Sequence, residues 1–233
     1  MIITSPTNAK LKEIRRLSRK RGRDAAGRFV AEGEDLLAAA KAAGWPALET
    51  FVAAGSGLEG IEVEPELLDR ASGLGSGTRA LAIYDERWSS PAGPLCISLH
   101  GVGDPGNVGA ILRSALAFGA ASVALGPGCA DPFGPKAVRA SMGAIFQVPV
   151  TRVRSIGELP GTKVALAARG GEPLRGDLGG ELTLLVGAER EGLSPELLEQ
   201  ADVVAHIPIR SESLNAAMAA TVALYELTRE ATA

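Results

Sequence analysis

The sequence has few of the side chains that build disulfide scaffolds, metal centres and aromatic clusters. Its 233 residues include 2 cysteines and 2 histidines, and aromatic residues make up 4%. Cys96 and Cys129 stand among apolar neighbours without the spacing of metal ligands, and only His100 and His206 could join them. The sequence therefore argues against a disulfide-stapled fold and a zinc site, and we expect no bound metal.

Long apolar runs are also missing. No segment approaches the roughly 18 to 20 uninterrupted apolar residues that a membrane-spanning helix needs, and the pattern of a signal peptide does not open the chain. We expect a cytoplasmic protein that does not enter a membrane. With 46% hydrophobic residues, 22% charged residues and 29 glycines, the composition is typical of a folded α/β protein and excludes a disordered chain or a fibre.

Positive charge is concentrated at one end of the chain. Residues 1–30 carry nine lysines and arginines against two acids, whereas residues 31–90 carry four against eleven. Within 10–28 the apolar residues form one helical stripe, which predicts a basic amphipathic helix with a frayed end and a polyphosphate partner. A solvated helix face and a mitochondrial transit peptide are the alternatives. The basic residues that we expect off the stripe are Arg15, Arg16, Arg19, Lys20, Arg21 and Arg23.

A segment rich in turn formers, 88–94, divides the chain into two predicted domains, 1–90 and 91–233. Short apolar strands alternate with helices in the second part, which predicts a mostly parallel sheet covered on both faces. In the first part we expect strands over 28–31, 50–53 and 80–84, and helices over 34–43 and 64–71. In the second we expect strands over 95–99, 122–125, 148–151, 163–168, 182–186 and 203–207, and helices over 107–118, 136–142 and 213–229.

A glycine-rich turn follows the predicted strand 95–99. Gly101, Gly103 and Gly106 have the G-x-G-x-x-G spacing of a dinucleotide-binding turn. However, Pro105 removes one N–H from the expected phosphate cradle, and the second strand ends at Leu125 without the acid that would bind a ribose. A nicotinamide dinucleotide site is therefore kept only as an alternative.

The predicted helix after this turn has one apolar face. Val108, Ile111, Leu112 and Ala115 recur at helical spacing and should face the sheet, which leaves Arg113 on the opposite side. Asn107 and Arg113 then belong to a solvent or interface surface. The plainer interpretation makes Asp104 or Asn107 the N-cap of the helix and Arg113 a solvated charge.

Two further segments follow predicted strands in the same manner. Residues 187–194 form a glycine-punctuated acidic turn, and residues 206–215 lead into the last predicted helix, for which Ser213 is a candidate N-cap. Ligands bind at the carboxyl ends of such strands. Each segment alone is also compatible with an ordinary loop.

Taken in this order, the three segments resemble the three motifs of the SpoU/TrmH family of RNA 2′-O-ribose methyltransferases, in the SPOUT superfamily. Residues 104–111 with Arg113 resemble the first motif, 187–194 the second, and 207–209 with 213–215 the third. The resemblance covers about residues 95–230, and it also includes Lys136, Arg139, Ser141, Met142, Gly143, Ala144 and Pro149. Residues 3–8, the basic run and residues 29–33 are similar to the ribosomal-protein-like RNA-binding domain that precedes many members.

The sequence departs from the family pattern at three places. Ala188 stands where asparagine is common, Arg190 stands where glycine is common, and the segment 207–213 is about two residues shorter than usual. The shorter segment puts the shape of the cofactor pocket in question.

The resemblance implies a small N-terminal α/β domain and a C-terminal α/β trefoil-knot methyltransferase domain with a mostly parallel sheet. It further implies that S-adenosylmethionine is the cofactor and that two protomers complete each site. The implied partner is RNA, with ribosomal RNA favoured over transfer RNA. The last helix, with Leu214, Met218 and Leu224, is a candidate dimer surface, although core packing explains it equally well.

The resemblance also assigns site residues. It makes Arg113 catalytic, either as the base or as a clamp for the target phosphate, and the clamp is physically easier because a guanidinium stays protonated. Asn107, Glu189, Ser213 and Asn215 complete the implied catalytic set, and Ala167, Gly187, Ile207 and Leu214 the implied cofactor-binding set. An inactive RNA-binding or ribosome-binding protein and a nicotinamide-dependent oxidoreductase are the alternative functions.

Overall fold

The computed structural model describes residues 2–73, 77–176 and 178–229. In the N-terminal part the helices are α1 Ala9–Leu17, α2 Lys20–Ala26, α3 Glu34–Ala42 and α4 Pro65–Ala71, and the strands are β1 Arg28–Glu32, β2 Glu49–Ala53, β3 Ile61–Val63 and β4 Ala80–Asp85. Strand β4 pairs antiparallel with both β1 and β2, so β1, α3 and β2 form a βαβ unit with β4 inserted between its strands. The short strand β3, which is not among the predicted strands, extends the sheet beside β2.

In the C-terminal part the strands are β5 Leu95–Leu99, β6 Ser122–Leu125, β7 Val150–Arg152, β8 Thr162–Ala167, β9 Glu172–Pro173, β10 Leu182–Val186 and β11 Val203–His206, and the helices are α5 Pro105–Ala117, α6 Pro135–Ala140, α7 Pro195–Gln200 and α8 Ala216–Thr228. The seven strands form a parallel sheet in the order β7-β6-β5-β10-β8-β11-β9. The central strands β5 and β10 are buried along their whole length. This confirms the predicted parallel sheet.

Helices cover both faces of this sheet. Alternate residues of the central strands point to opposite sides: Ile97 and Leu184 join the core under α5 and α8, whereas Leu185 joins the core on the other face, with α7. On α5 the predicted stripe of Val108, Ile111, Leu112 and Ala115 is fully buried, and Arg113 is exposed on the other side of the helix, as expected.

One apolar core contains residues of both sheets, which the segment 86–94 joins in the sequence. Phe29 of β1 lies 4.9 Å from Phe133, and Tyr84 of β4 lies 5.2 Å from Phe146, as ring-centroid distances. Burial in this core raises the pKa of the Tyr84 hydroxyl to about 12. The small sheet is therefore held against the large one by aromatic packing, beyond its covalent linkage.

The basic N-terminal run differs from the predicted single helix. It forms two helices, α1 and α2, because the chain becomes extended at Arg19. The backbone of Gly22 then packs so closely on α1 that a Cβ there would lie 2.0 Å from the carbonyl oxygen of Arg16. The sequence indicates the apolar stripe correctly, since Leu11, Ile14 and Leu17 are all buried.

Arg23 is a correction to the expected surface charges. Its side chain is buried and pairs with Asp131 at 2.7 Å, and it also donates to the carbonyl oxygens of Leu17 and Ser18 at the end of α1. Those carbonyls have no partner within the helix, and Arg23 supplies one. Arg23 thus joins the two parts of the protein and is not available to a nucleic acid.

Replacing Arg23 by alanine should strongly destabilise the protein. The substitution leaves Asp131 as a buried charge without its partner, which typically costs about 3 kcal/mol or more of unfolding free energy. Urea unfolding followed by circular dichroism measures this, with Arg21→Ala as the matched control because Arg21 is exposed on the same helix. Equal unfolding midpoints for the two variants would contradict a structural role for the Arg23–Asp131 pair.

Candidate active site

Three loops meet at the carboxyl edge of the large sheet and bring polar residues together. Asp104 follows β5 and caps α5 by accepting the N–H of Asn107 at 3.0 Å. Glu189 follows β10, and Asn215 directly precedes α8. Because all strands of this sheet are parallel, the loops that follow them emerge at one edge.

The side chains of Asn107, Glu189 and Asn215 form a hydrogen-bonded group that we term the amide–carboxylate cluster. Asn215 Nδ2 donates to Asn107 Oδ1 at 3.1 Å and also to Glu189 Oε1. Asn107 Nδ2 donates to the same carboxylate oxygen. Each of the three sequence motifs contributes one member to this cluster.

Asn215, and not Ser213, is the N-cap of the last helix. Its side-chain oxygen accepts from the N–H groups of Ala217 at 2.9 Å and Met218 at 3.3 Å, and α8 begins at Ala216. The prediction of Ser213 as the cap is therefore wrong. Both residue types cap helices well, and the apolar pattern does not choose between positions two residues apart. Ser213 is exposed instead, at the rim of the adjacent cleft.

A cleft of about 560 Å³ lies beside the cluster, between the loops that follow β8, β10 and β11. This volume is in the range of small-molecule sites. Apolar side chains, including Leu166, Val186 and Leu193, form part of its wall. All four residues of the predicted cofactor-binding set line it: Ala167, Gly187, Ile207 and Leu214. Glu189 belongs to both the cleft and the cluster.

The charged residues around the cleft suit a ligand with a net positive charge. Three carboxylates and two guanidinium groups line it, which leaves one net negative charge. S-adenosylmethionine carries a sulfonium, an ammonium and a carboxylate, so this mixture complements both its positive and its negative groups. The charged lining residues are Glu189, Glu191, Glu212, Arg169 and Arg190.

The glycines of these loops are explained by protein packing. A Cβ on Gly187 would lie 2.2 Å from the carbonyl carbon of Gly192, where Ala188 and Gly192 exchange two backbone hydrogen bonds. In the G-x-G-x-x-G turn, Gly101 has a φ of +70° and donates its N–H to the carbonyl of Pro127 at 3.0 Å. That contact connects the loops after β5 and β6, so the glycine spacing does not require a bound pyrophosphate.

Arg113 lies outside the cluster and the cleft of its own chain. It is exposed on α5, six residues beyond Asn107, and within the described residues it has no ion pair or hydrogen bond. A separation of six residues places two side chains on different faces of a helix. The structure therefore brings together Asn107, Glu189 and Asn215 but not Arg113.

An exposed apolar stripe lies next to Arg113. Leu116 is three residues from Arg113 on α5, and Ser114 is hydrogen-bonded to Thr221 of α8 at 2.6 Å. We term the exposed side chains of Leu116, Met218, Val222 and Tyr225 the α5–α8 stripe; their exposures are 38%, 62%, 41% and 55%. On α8, Met218, Val222 and Tyr225 have the spacing i, i+4 and i+7, and this periodicity is the signal in the sequence that could have identified the stripe.

The predicted dimer surface on α8 needs correction. Leu224 is fully buried in the core and cannot contact a partner, whereas Leu214 is half-buried in the wall of the cleft. Of the three residues named from the sequence, only Met218 belongs to the exposed stripe.

The described residues contain neither a candidate metal centre nor a candidate membrane span. No three side chains of His, Cys, Asp or Glu gather there into a group that could hold a metal ion. Among the helices of the same residues, none combines the length and the apolar character that crossing a membrane requires.

Comparison with known proteins identifies the family. The profile of the SpoU rRNA methylase family matches residues 94–225, and that of an MRM3-like substrate binding domain matches residues 8–77. The chain belongs to the SpoU rRNA methylase family. It is 30% identical to the 23S rRNA (guanosine(2553)-2′-O)-methyltransferase RlmP of Bacillus subtilis, over 97% of this chain and 98% of that protein.

Solved structures of similar proteins extend over nearly the whole chain. The AdoMet-bound rRNA methyltransferase from Sinorhizobium meliloti superposes with a TM-score of 0.88 at 31% identity, over 99% of this chain and 98% of that one. The SpoU methyltransferase AviRb from Streptomyces viridochromogenes, in complex with AdoMet, has a TM-score of 0.85 at 27% identity, over 97% and 99%. The predicted fold class, the RNA methyltransferase class and S-adenosylmethionine as cofactor are confirmed.

The two roles of Asn215, as helix cap and as cluster member, can be separated by substitution. Asn215→Ala removes both and should lower the unfolding free energy by about 1 kcal/mol. Asn215→Ser keeps a capping oxygen without the amide donor, so its stability should stay close to that of the parent protein. Urea unfolding of the three proteins measures the difference, and equal losses in both variants would show that the cap contributes nothing to stability.

Proposed function

We propose that this SpoU-family protein transfers the methyl group of S-adenosylmethionine to a ribose 2′-hydroxyl of ribosomal RNA. The observation that supports this most is the position of Glu189, which lines the cleft and also binds Asn107 and Asn215. A group held by the cluster therefore lies beside a group held by the cleft. RlmP, which is similar over nearly the whole chain, is named as an enzyme that methylates a 2′-oxygen of 23S rRNA.

The loops after β8, β10 and β11 form the cofactor site in this proposal. Peptide groups near Ala167, Gly187, Ile207 and Leu214 contact the adenosine part, which requires little of the side chains there. When bound, S-adenosylmethionine supplies a methyl carbon attached to a positively charged sulfur. The acids at the rim favour that charge, and the apolar wall limits the access of water to it.

The amide–carboxylate cluster orients the ribose. Glu189 Oε1 accepts from both asparagines, while Oε2 has no hydrogen-bond partner within the described residues. Oε2 can therefore accept a hydrogen bond from the ribose 2′-hydroxyl and take its proton when the methyl group leaves the sulfur for the 2′-oxygen, and the two amides keep the carboxylate in place. Ser213, at the rim of the cleft, lies within the same loop region and can contact the same sugar. Holding the hydroxyl in line with the methyl carbon removes most of the entropic barrier to transfer.

Arg113 clamps the phosphate next to the target ribose and stabilises the negative charge that develops on the 2′-oxygen. A guanidinium is protonated at neutral pH and binds phosphate through paired hydrogen bonds, so these roles suit it better than that of a base. Because Arg113 lies outside the cluster of its own chain, a second protomer must deliver it. The α5–α8 stripe beside it is the surface that a second copy covers, and the protein acts as a homodimer.

The N-terminal part binds the RNA substrate. Arg16, Arg19, Lys20 and Arg21 are exposed on α1, α2 and the turn between them, and they supply positive charge without a packing role. Residues 8–77 match a profile described as a substrate binding domain, which supports a role of the N-terminal part in binding RNA.

Methyl transfer should depend strongly on Arg113. Arg113→Ala should retain the parent melting temperature and cofactor affinity, because an exposed helical arginine contributes little to folding. The rate should fall by about two orders of magnitude or more, which corresponds to roughly 3 kcal/mol of lost transition-state stabilisation. Arg113→Lys should also be slow, since an ammonium lacks the planar fork.

Single-turnover transfer of tritium from labelled S-adenosylmethionine to unmodified 23S and 16S rRNA transcripts measures these rates. Label at a ribose is identified because a 2′-O-methyl group protects the neighbouring phosphodiester from alkali. A parent protein that binds both ligands without transfer would support the inactive RNA-binding alternative. An Arg113→Ala protein within a few-fold of the parent rate would refute the assigned role.

Mixed dimers test whether Arg113 acts across the subunit interface. Arg113→Ala and Glu189→Ala protomers, co-expressed with different tags, give a heterodimer in which one of the two sites contains both native residues. That heterodimer should have about half of the parent activity, although both homodimers are inactive. If Arg113 acted within its own chain, the heterodimer would have no intact site and would remain inactive. A monomeric mass in light scattering for the fully active parent would also contradict the dimer.

A further inference from the structure

We propose that a groove between α2 and the loops after β6 and β7 is a second RNA-binding subsite, which holds backbone phosphates of the strand that carries the target nucleotide. The groove is lined by Lys20, Trp88, Cys129, Arg152 and Arg154, and we term it the Trp88 groove. The inference rests on the proposed function and adds a place and a chemistry for RNA contacts outside the cofactor cleft.

The Trp88 groove opens at the same edge of the sheet as the cofactor cleft. Arg152 ends β7 and Leu125 ends β6, whereas the cleft and the cluster follow β8, β10, β11 and β5. Strands β10 and β7 are separated by three strand spacings of about 4.8 Å, so the ends of these two strands lie roughly 14 Å apart. A few nucleotides of one strand span that distance.

A continuous surface connects the two sites. The loop after β6 is hydrogen-bonded to the loop after β5 by Gly101 N–H to the carbonyl of Pro127 at 3.0 Å, and by Ala130 N–H to the carbonyl of Val102 at 2.9 Å. On the other side, His100 N–H donates to the carbonyl of Val186 at the end of β10. Gly101 and Gly128 are both exposed, and a Cβ on Gly128 would lie 3.2 Å from the Cα of Gly101, so the two loops pack closely and the surface between the sites is unbroken.

Arg152 is held in position by contacts that a solvated charge does not need. Its guanidinium lies 3.9 Å over the ring of Trp88. Trp88 is itself fixed by a hydrogen bond from Nε1 to Glu86 at 3.0 Å and by an edge contact with Phe133. The Arg152 side chain is nevertheless 58% exposed, so a ligand can reach it from solvent.

The acids around the Trp88 groove are Asp24, Glu86, Asp131 and Glu158, and each already makes a contact within the protein. Asp131 is paired with the buried Arg23, and Glu158 accepts the backbone N–H groups of Arg154 and Ser155. Asp24 forms ion pairs with Arg152 at 3.9 Å and with Lys20 at 3.7 Å, and because both are longer than a hydrogen bond, a phosphate can compete with Asp24 for these two cations. Three exposed cations thus face the groove, and a polyphosphate is the ligand that matches them.

Single substitutions separate this subsite from the catalytic machinery. Arg152→Ala and Arg154→Ala should each weaken binding of a 23S rRNA transcript about fivefold or more, and the double variant should lower the log–log salt slope by about 1.4, at about 0.7 per phosphate contact. Affinity for S-adenosylmethionine and the rate at saturating RNA should be unchanged. Arg175→Ala is the matched control, because Arg175 is exposed and follows β9, at the opposite end of the sheet from β7.

Fluorescence of Trp88 gives a direct readout of occupancy. The chain has 2 tryptophans, so Trp45→Phe leaves Trp88 alone in the groove. Its emission should change on addition of the 23S rRNA transcript and saturate over the same concentrations as binding, and S-adenosylmethionine alone should leave it unchanged. In Trp88→Phe, the emission of Trp45 should not respond to RNA.

Three results would overturn the subsite. One is a salt slope of the double variant equal to that of Arg175→Ala. Another is a Trp88 emission that does not respond to bound RNA. The third is normal methylation of naked RNA by the arginine variants together with loss of methylation of ribosomal particles, which would assign the groove to a protein partner. If the parent protein binds RNA through the groove but never methylates it, the result contradicts the proposed methyltransferase activity and supports the subsite.

Discussion

Every strand of the large sheet runs in the same direction, and the positions of the functional groups depend on that constraint. In a parallel sheet the loops that follow the strands all lie at one edge, so segments far apart in the sequence become neighbours there. Asn107 and Glu189 are separated by 82 residues, and Asn107 and Asn215 by 108, yet their side chains form hydrogen bonds. The Trp88 groove lies at the same edge for the same reason.

A second constraint fixes the two parts of the protein to each other. Aromatic residues of the small sheet pack into the core of the large one, and the buried pair of Arg23 with Asp131 connects α2 to the loop after β6. If only a flexible linker joined the two parts, α2 could move relative to the carboxyl edge of the large sheet. The buried pair instead places Lys20 beside Arg152, so positive charge from the N-terminal run reaches the edge where the loops meet.

Periodicity predicts which residues are buried, and its limits follow from the same physics. The stripe on α5 predicted the exposure of Arg113, since a helix face is determined by spacing alone. The burial of Arg23 depends on Asp131, 108 residues away, and no local pattern contains that contact. Strand β3 was missed because it has three residues and gains its stability from pairing with β2. Ser213 and Asn215 both suit a helix cap, and only tertiary contacts with Glu189 and Asn107 distinguish them.

The departures from the family pattern lie where backbone, and not side chains, shapes the site. Ala188 exchanges backbone hydrogen bonds with Gly192, and these bonds need no particular side chain at that position. A Cβ on Gly101 would lie 3.5 Å from the Ala188 methyl group, which is an ordinary contact distance, so the loops after β5 and β10 pack against each other there without strain. Arg190 points to the exposed rim of the cleft, where it adds positive charge beside the acids. The short segment 207–213 still contributes Ile207, Ile209 and Ser213 to the lining. Since peptide groups are present whatever the side chain, a site of this kind tolerates changes in sequence that a site built from side chains would not.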